Sequence, residues 1–485
     1  MIGLPLVLFS LSLNPWFAPE QHDDVTYFFG AKSISESGVY QLDGVPVTDW
    51  PPLFPLMLAG QQLLTGPSII AAKLVVLGFI IAGLFAIRAL ARAYQFEYPN
   101  TVAVLTCLLP ISLICGSNVL SEWPYLTLSF AFLLALDKLK SHRETGWILL
   151  AGTLLAAASL TRFAGVLLGA AIIAQAVSQW RAARGETPLV QLRAICPELA
   201  TAAIGAVPWL LWRLRCRLVI DSGAAPTGAY DQPSYYLERF TNFDPVALFS
   251  QMETTLFSFG RATRPVSELI GTLVLPVFAL ALIYGAYLRF RTRGIRPGDW
   301  YVMTTLLLLL GDLVKPERYF LPIAPFLIAY LLTAIRALAQ RIGALRRPEL
   351  AVAGFVSGWC TLLLALNSYL LFFGNADGTR GGFSRIASPE IDHYYRKQHH
   401  GLLLALRHVD ENAPPGEAIG ADGFHGKYVL ALCGRGFRTH PWDDLTPVNW
   451  LVQWEGNPST APLTADWTLI TEIGDHKIYR RAPKT

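Results

Sequence analysis

Long apolar runs, separated by short polar connections, recur along most of this sequence. Hydrophobic residues make up 53% of the 485 residues, charged residues only 15%, and the mean hydropathy is +0.40. A soluble globular protein carries about 25% charged residues, so an ordinary soluble enzyme is excluded. The pattern predicts an all-α polytopic membrane protein with about eleven transmembrane helices. The runs cover residues 2–18, 68–91, 102–119, 124–136, 147–160, 166–177, 199–212, 269–288, 301–310, 320–335 and 351–373.

Basic residues mark alternate connections between these runs, and Lys and Arg in short loops are retained on the cytoplasmic side. The basic connections are 88–92, 138–143, 181–193, 289–296 and 336–347. The other connections are therefore predicted to face outward. These are the loop 20–50, the turns at 121–122, 161–162 and 315–318, the long loop 221–264 and everything after 373. Since the net charge of +4 reflects these membrane ends, nucleic acid is not indicated as a partner.

Three arginines break this rule, because Arg213, Arg215 and Arg217 emerge on the predicted outer side. Two explanations stay open from the sequence. Acidic groups or a phosphate hold the guanidiniums, or the long side chains reach the headgroup level without a specific partner.

The sequence predicts two domains. Residues 1–374 form a transmembrane catalytic domain with the outward loops 20–50 and 221–264, and residues 375–485 form a small extracytoplasmic α/β domain. In the second domain we expect a helix starting near Pro389, a short helix at 427–432, and strands at 417–421, 467–471 and 477–480. The six cysteines suggest neither a disulfide framework nor a metal-ligand spacing.

The polar residues at the outward connections combine carboxylates, cations and aromatic rings. Carboxylates can take a proton from an attacking hydroxyl or amine, guanidinium and ammonium groups can hold a phosphate, and aromatic rings can stack on a sugar. Taken singly, a pair such as Glu317 and Arg318 is an ordinary ion pair at a helix end; together on one face the residues favour an enzyme. The candidates are Asp23, Asp24, Tyr27, Glu122, Arg162, Lys315, Arg318 and Tyr319.

The order of these motifs resembles the GT-C glycosyltransferases, in particular the branch of the protein O-mannosyltransferases and the lipid A aminoarabinose transferases. Five motifs carry the resemblance across nearly the whole chain. They are Asp23-Asp24-Val25-Thr26-Tyr27, Pro51-Pro52-Leu53-Phe54, Ser121-Glu122, Thr161-Arg162, and Arg318-Tyr319 followed by Pro322 and Pro325. No single motif is specific, whereas their order and common sidedness are.

The resemblance implies an inverting sugar transferase that uses a polyprenyl-phosphate-linked donor and a lipid, glycan or protein acceptor. In that family the first acid of the first outer loop is the base, which corresponds to Asp23, with Asp24 beside it. Glu122 corresponds to an acid that holds donor or acceptor, and Arg318 and Tyr319 to a pair near the lipid phosphate. We expect an active face in the periplasm of a bacterial inner membrane.

Two departures from the family limit what is carried over. The aminoarabinose enzymes place a lysine before the Pro-Pro motif where this chain has Trp50, so that phosphate contact and lipid A as acceptor are in doubt. Lys315, or the group of Arg213, Arg215 and Arg217, would then make the phosphate contact in place of that lysine. Some relatives bind a divalent metal, but the available acids and His22 have no diagnostic spacing, and the metal stays open.

Two further functions compete with a glycosyltransferase. A transporter or flippase of lipid-linked saccharides would carry ionisable groups near the bilayer midplane and paired repeats, whereas here the charges cluster at one end and no repeat is visible. A saccharide polymerase or ligase would be expected to have an arginine-dominated outer loop, and 221–264 contains only Arg239, Arg261 and Arg264. A cleaved signal peptide is a weaker interpretation of residues 2–18, which lack a basic residue before them.

Overall fold

The structure is a computed structural model, in which the chain divides into two compact units. The first comprises Met1–Ser10, Val47–Met57 and Lys73–Asn367, and the second Leu11–Pro46, Leu58–Ala72 and Ser368–Thr485. The predicted domain boundary near residue 374 stays a prediction. The structure describes residues 3–13, 22–42, 44–224, 245–257, 264–310, 317–341, 348–372, 401–414, 417, 419–421, 449–454, 466–473 and 476–482.

Helices dominate the described part of the chain, as the apolar runs predict. The helices are α1 (Gly3–Ser12), α2 (His22–Ser37), α3 (Leu53–Thr65), α4 (Ile69–Ala93), α5 (Pro99–Leu108), α6 (Pro110–Ser117), α7 (Glu122–His142), α8 (Thr145–Thr161), α9 (Gly169–Ala182), α10 (Pro188–Asp221), α11 (Pro245–Phe257), α12 (Arg264–Arg293), α13 (Pro297–Leu310), α14 (Ala324–Arg341), α15 (Pro348–Phe372) and α16 (Gly401–Asn412). Two 3₁₀ helices cover Phe163–Leu168 and Glu317–Phe320.

Four of the described helices are long and apolar enough to cross a membrane, and five spans result if the bent pair α5 and α6 counts as one. The chain is therefore an integral membrane protein. The predicted total of about eleven spans is not confirmed and stays a prediction. The first run, predicted over 2–18, has a described helix of only 10 residues, Gly3–Ser12.

The predicted run 102–119 is not one helix, because α5 and α6 meet at an angle of 63°. Pro110 lacks the N–H that a continuous helix would need and clashes with the preceding turn. Side chains satisfy the carbonyls at this break: Asn367 Nδ2 donates to the Leu108 oxygen at 2.6 Å, and the Ser112 hydroxyl donates to the Thr106 oxygen. The break is thus stabilised by its own hydrogen bonds within the first unit.

Close helix contacts in the first unit depend on glycine. A Cβ on Gly285 of α12 would lie 1.9 Å from the Tyr330 oxygen of α14. On α8, a Cβ at Gly152 would lie 2.6 Å from Ile204 and 3.2 Å from the Thr201 oxygen of α10. Any larger residue would separate these helix pairs.

A polar network, here called the Asp299 network, ties α12, α13 and α14 to the residues after α4. Asp299 Oδ1 accepts from the Tyr330 hydroxyl at 2.7 Å and lies 3.5 Å from Arg289 Nε, while Oδ2 accepts from the Arg296 N–H at 2.7 Å. Arg289 Nη1 donates to the Tyr94 oxygen at 3.1 Å. Burial raises the pKa of Tyr94, so its phenol stays neutral and accepts from the Gly298 N–H.

Residues 20–50 differ from the expected loop, since they contain the 16-residue helix α2 and a short hairpin of β1 (Gln41–Leu42) and β2 (Val45–Pro46). Asp23 and Asp24 lie in the first turn of α2, where carboxylates stabilise the helix dipole. Within the second unit, Gln62 Nε2 on α3 donates to the Phe28 oxygen at 3.1 Å. The helix was missed because its burial follows no clear apolar period.

The C-terminal part combines α16 with a four-stranded mixed sheet. The strands are β3 (Ile419–Ala421), β4 (Trp450–Trp454), β5 (Trp467–Ile473) and β6 (His476–Arg481), in the order β3-β4-β6-β5. Only β3 and β4 pair in parallel. Three of the strands were predicted, whereas β4 was not. The expected helix start near Pro389 and the helix at 427–432 lie outside the described residues.

Candidate active site

Glu122 is the centre of a charged cluster in the first unit. It is the first residue of α7, and its side chain is 1% exposed. Arg162, at the end of α8, donates from Nη1 to Glu122 Oε1 at 2.7 Å and to the Ser121 hydroxyl at 3.1 Å. Two turns that the sequence placed on one side of the membrane therefore meet through a charged hydrogen bond.

The third part of the cluster comes from the 3₁₀ helix Glu317–Phe320. Arg318 Nε lies 3.6 Å from the same oxygen, Glu122 Oε1. The Tyr319 ring lies under both guanidiniums, with its centroid 5.4 Å from Arg162 Cζ and 5.6 Å from Arg318 Cζ. Ser121, Glu122, Arg162, Arg318 and Tyr319 are called the Glu122 cluster from here on, and four of them are predicted site residues.

The charges within the Glu122 cluster do not cancel. Its two guanidiniums share one carboxylate, so the five residues together carry one positive charge, and the arginine side chains are 15% and 18% exposed. Both cations contact Oε1, whereas Glu122 Oε2 is buried and has no hydrogen-bond partner among the described residues. The cluster can therefore take an anion on its guanidiniums and a hydrogen-bond donor on Oε2.

Local sequence positions these side chains. Arg162 has extended backbone after α8, and its N–H still caps the helix by donating to the Ala158 oxygen. The following 3₁₀ helix folds back closely on α8, because a Cβ on Gly165 would lie 2.5 Å from the Ser159 backbone. Trp123 Nε1 donates to the Ser112 oxygen at 3.1 Å and fixes the start of α7 on α6. Glu122 and Arg162 are thus positioned at helix ends that pack closely on neighbouring elements.

The arginines at the end of α10 differ from one another. Arg215 Nη1 donates to the Val47 oxygen at 2.6 Å, and its guanidinium lies 4.7 Å from the Trp212 ring. Arg213 lies 5.5 Å from the ring of Phe163, the residue that follows Arg162. Arg217 is exposed and pairs with Asp221 at 3.7 Å. Arg215 thus donates to a backbone carbonyl, which is neither an acidic group nor a phosphate.

Asp23, Asp24 and Tyr27 all lie at the start of α2 in the second unit. Asp24 and Tyr27 are buried, Asp23 is half-buried, and Asp24 Oδ1 accepts from the Val25 N–H at 2.7 Å. Their convergence with the Glu122 cluster stays a prediction. Lys315 lies outside the described residues. In the described ranges no group of three or more His, Cys, Asp or Glu side chains could hold a metal ion, and the metal stays open.

Among the residues that the structure describes outside the Asp299 network, three further buried charged residues were not predicted as site residues. Lys73 is fully buried on α4, and Glu198 is 1% exposed on α10. Glu253, 6% exposed, lies on α11, which packs against the 3₁₀ helix that carries Arg318. Lys73 and Glu198 interrupt or border apolar runs, which is a usable signal; Glu253 lies in the predicted outer loop 221–264, where a carboxylate does not stand out.

Comparison with known proteins identifies the fold. No family model matches the sequence, and no curated protein matches it. Among solved structures, ArnT from Cupriavidus metallidurans bound to undecaprenyl phosphate matches with a TM-score of 0.60 and 12% identity, over 100% of this chain and 98% of that chain. The archaeal oligosaccharyltransferase AglB from Archaeoglobus fulgidus, in complex with an inhibitory peptide and a dolichol-phosphate, matches with a TM-score of 0.52 and 12% identity, over 93% and 69%.

A third structure, the arabinofuranosyltransferase AftD from Mycobacteria, matches with a TM-score of 0.51 and 16% identity, over 99% of this chain and 41% of that chain. All three neighbours are GT-C membrane glycosyltransferases. The GT-C fold expected from the order of the motifs is therefore confirmed. At these identities the likeness concerns the fold alone.

Proposed function

We propose that this GT-C-fold membrane protein is a glycosyltransferase that moves a sugar from a polyprenyl-phosphate-linked donor to an acceptor on the outer face of the membrane. The observation that carries the proposal is the Glu122 cluster, with its two guanidiniums on one carboxylate oxygen and a second, buried oxygen that has no hydrogen-bond partner among the described residues. Two of the structural neighbours were solved with undecaprenyl phosphate or dolichol-phosphate bound, which supports a lipid phosphate as the ligand.

In the proposed reaction, the acceptor hydroxyl or amine attacks the anomeric carbon of the donor, and the bond from that carbon to the phosphate oxygen breaks. The electron pair leaves with the phosphate, whose charge Arg162 and Arg318 neutralise, so no acid has to protonate it. The proton of the acceptor goes to Asp23, the general base, and attack from the face opposite the phosphate inverts the anomeric carbon. A positioned base contributes about 10² to 10⁴ in rate.

Glu122 has two roles in this proposal. Oε1 orients the two guanidiniums, and Oε2, which has no partner among the described residues, accepts a hydrogen bond from a hydroxyl or amino group of the sugar or the acceptor. Tyr319 supports the guanidiniums from below. Asp24 is a further proposed catalytic acid beside Asp23, and Tyr27 and Lys315 are further proposed substrate contacts. Asp24 and Tyr27 are placed by the family resemblance, whereas Lys315 is proposed in place of the family lysine that is Trp50 here. We propose a bacterial inner membrane with the C-terminal domain outside.

The test is genetic and chemical. In a deletion strain, mass spectrometry of envelope lipids and glycans identifies the modification that disappears, and the wild-type gene restores it. Asp23→Asn at wild-type protein level should restore none of it, because the amide cannot accept the proton. The matched control is Glu36→Gln on the same helix, whose side chain is 63% exposed and pairs only loosely with Lys32 at 3.9 Å. A strain fully restored by Asp23→Asn would remove Asp23 as the base.

A further inference from the structure

A second polar cluster lies inside the helices of the first unit, and the proposed sugar transfer does not use it. Glu198 and Thr201 are one turn apart on α10, which is long and apolar enough to span the membrane. Gln175 faces them from α9. All three side chains are buried, with exposures of 1% for Glu198, 0% for Thr201 and 2% for Gln175.

The hydrogen bonds of this cluster leave three oxygens open. Gln175 Nε2 donates to Glu198 Oε1 at 3.2 Å and to the Leu136 oxygen of α7 at 3.1 Å. Gln175 Oε1, Glu198 Oε2 and Thr201 Oγ1 are buried and have no hydrogen-bond partner in the described part of the chain. One such atom is costly to bury, and three in one cluster point to a bound group that uses them.

The open hydroxyl of Thr201 is unusual for this protein. Several other buried threonines in its helices use their hydroxyl on the carbonyl four residues earlier: Thr106 donates to the Val102 oxygen and Thr305 to the Tyr301 oxygen, both at 2.8 Å. Thr201 makes no such bond with the described residues, although it has the same option. Its oxygen is therefore available to a ligand shared with Glu198.

The charge of Glu198 needs a partner that the described residues do not provide. None of their ion pairs includes Glu198, and the neighbouring helix α8 contains no titratable residue. An isolated carboxylate in the interior of a membrane protein is strongly unfavourable unless a cation neutralises it. A single monovalent cation would leave the cluster neutral, whereas a divalent ion would leave a buried positive charge.

We propose that Glu198 Oε2, Gln175 Oε1 and Thr201 Oγ1 bind a sodium ion between α9 and α10. Hard cations take oxygen ligands of these types. The helices pack closely beside Thr201, because a Cβ on Gly152 of α8 would lie 3.2 Å from the Thr201 backbone oxygen of α10, which favours a small ligand. The ion links Gln175 to α10, and Gln175 also donates to the backbone of α7. It therefore stabilises the helices that pack around α8, the helix that Arg162 follows.

The experiment measures thermal unfolding of the purified full chain in detergent. Sodium chloride is raised about 100-fold while choline chloride keeps the ionic strength constant, and potassium chloride is tested in parallel. A ligand that binds only the folded state should raise the wild-type midpoint by about 2 to 4 °C. Glu198→Gln should abolish the sodium-dependent shift, because the amide brings no negative charge.

Thr201→Val keeps the shape of the side chain, removes one ligand and should reduce the shift, and it tests the site if Glu198→Gln does not fold. Thr106→Val is the matched control, since it changes an equally buried threonine outside the cluster and should retain the full shift. Equal wild-type midpoints in sodium and choline would overturn the proposal. A shift that survives Glu198→Gln would also overturn it, as would a midpoint that depends on pH but not on sodium, which would assign a neutral Glu198 paired with Gln175.

Discussion

The Glu122 cluster and the Asp299 network are both built from arginine and a buried carboxylate, but they differ in what they leave open. Asp299 uses both oxygens, balances one guanidinium, and pairs with an Arg289 side chain that is only 4% exposed. Glu122 uses one oxygen for two guanidiniums, which are 15% and 18% exposed. A carboxylate that is bonded on both oxygens and paired with one buried guanidinium holds helices together. A carboxylate that faces two partly exposed guanidiniums, and whose second oxygen has no partner among the described residues, is suited to a ligand.

The largest effect on stability is expected for a substitution in the Asp299 network. Asp299→Ala removes the acceptor of the Tyr330 hydroxyl and of the Arg296 N–H, and leaves Arg289 buried without its carboxylate. We expect a loss of about 3 to 5 kcal/mol of folding free energy. Thermal or denaturant unfolding in detergent measures it, and activity per folded molecule should stay at the wild-type level. A stable but inactive variant would mean that this network, too, belongs to a functional site.

A substitution in the Glu122 cluster should instead lower activity and leave stability nearly unchanged. Arg318→Ala should lower the transfer rate about 100-fold, because one of the two cations facing the leaving phosphate is lost. It should also weaken binding of undecaprenyl phosphate, measured directly on the purified protein. The melting midpoint should change little, since the guanidinium is partly exposed. Arg217→Ala is the control, because that arginine is 82% exposed and pairs with Asp221 on its own helix. Unchanged lipid binding would contradict the phosphate role of Arg318.

Glu122→Gln separates the two functions of the carboxylate. The amide oxygen can still face Arg162, but the buried position of Oε2 receives an N–H donor in place of an acceptor. We expect kcat to fall about tenfold, in the range of one charge-assisted hydrogen bond, while binding of undecaprenyl phosphate is kept or strengthened by the added positive charge. Kinetics with separate kcat and KM, together with lipid binding, decide between these effects. A parallel loss of lipid binding would mean that Glu122 only holds the arginines.

The smallest expected effect tests how much the Tyr94 hydroxyl contributes to the stability of the Asp299 network. Tyr94→Phe removes the hydroxyl that accepts from the Gly298 N–H at 3.1 Å, and leaves the Tyr94 carbonyl to Arg289. One lost hydrogen bond should cost about 1 kcal/mol of folding free energy, without a change in transfer. Unfolding experiments beside Asp299→Ala measure the ratio of the two effects. An equally large loss from both variants would show that the phenol, not the carboxylate, holds the network.

Hydropathy alone predicted a helical membrane protein and the order of most helices, because a long run of apolar residues indicates that the segment lies in a membrane. The same argument predicted one helix over 102–119, which is wrong, since Pro110 breaks it into α5 and α6. It also missed α2 and β4, whose side chains are buried by other segments of the chain and show no clear periodicity of their own. In these segments tertiary packing, and not local sequence preference, decides the secondary structure.

The candidate site divides in the same way. Glu122, Arg162 and Arg318 were predicted because each follows or precedes an apolar run at a connection on the same side. That they meet at one oxygen could not be predicted. The positions of Lys73 and Glu198 in or beside apolar runs indicated burial, but not which side chains lie against them. Charge and sidedness are properties of a segment, but a shared partner depends on how several segments pack.

The amino-acid sequence by itself determined that this protein lies in a membrane. It also determined the residue types at each membrane end and the order of motifs that identifies the fold, because all of these are properties of local segments. Only the tertiary structure decided that Asp299 is bonded on both oxygens, whereas Glu122 Oε2 has no hydrogen-bond partner among the described residues. Hydrogen bonds and ion pairs act over a few ångströms, so they are settled by side chains from distant parts of the chain that folding brings together.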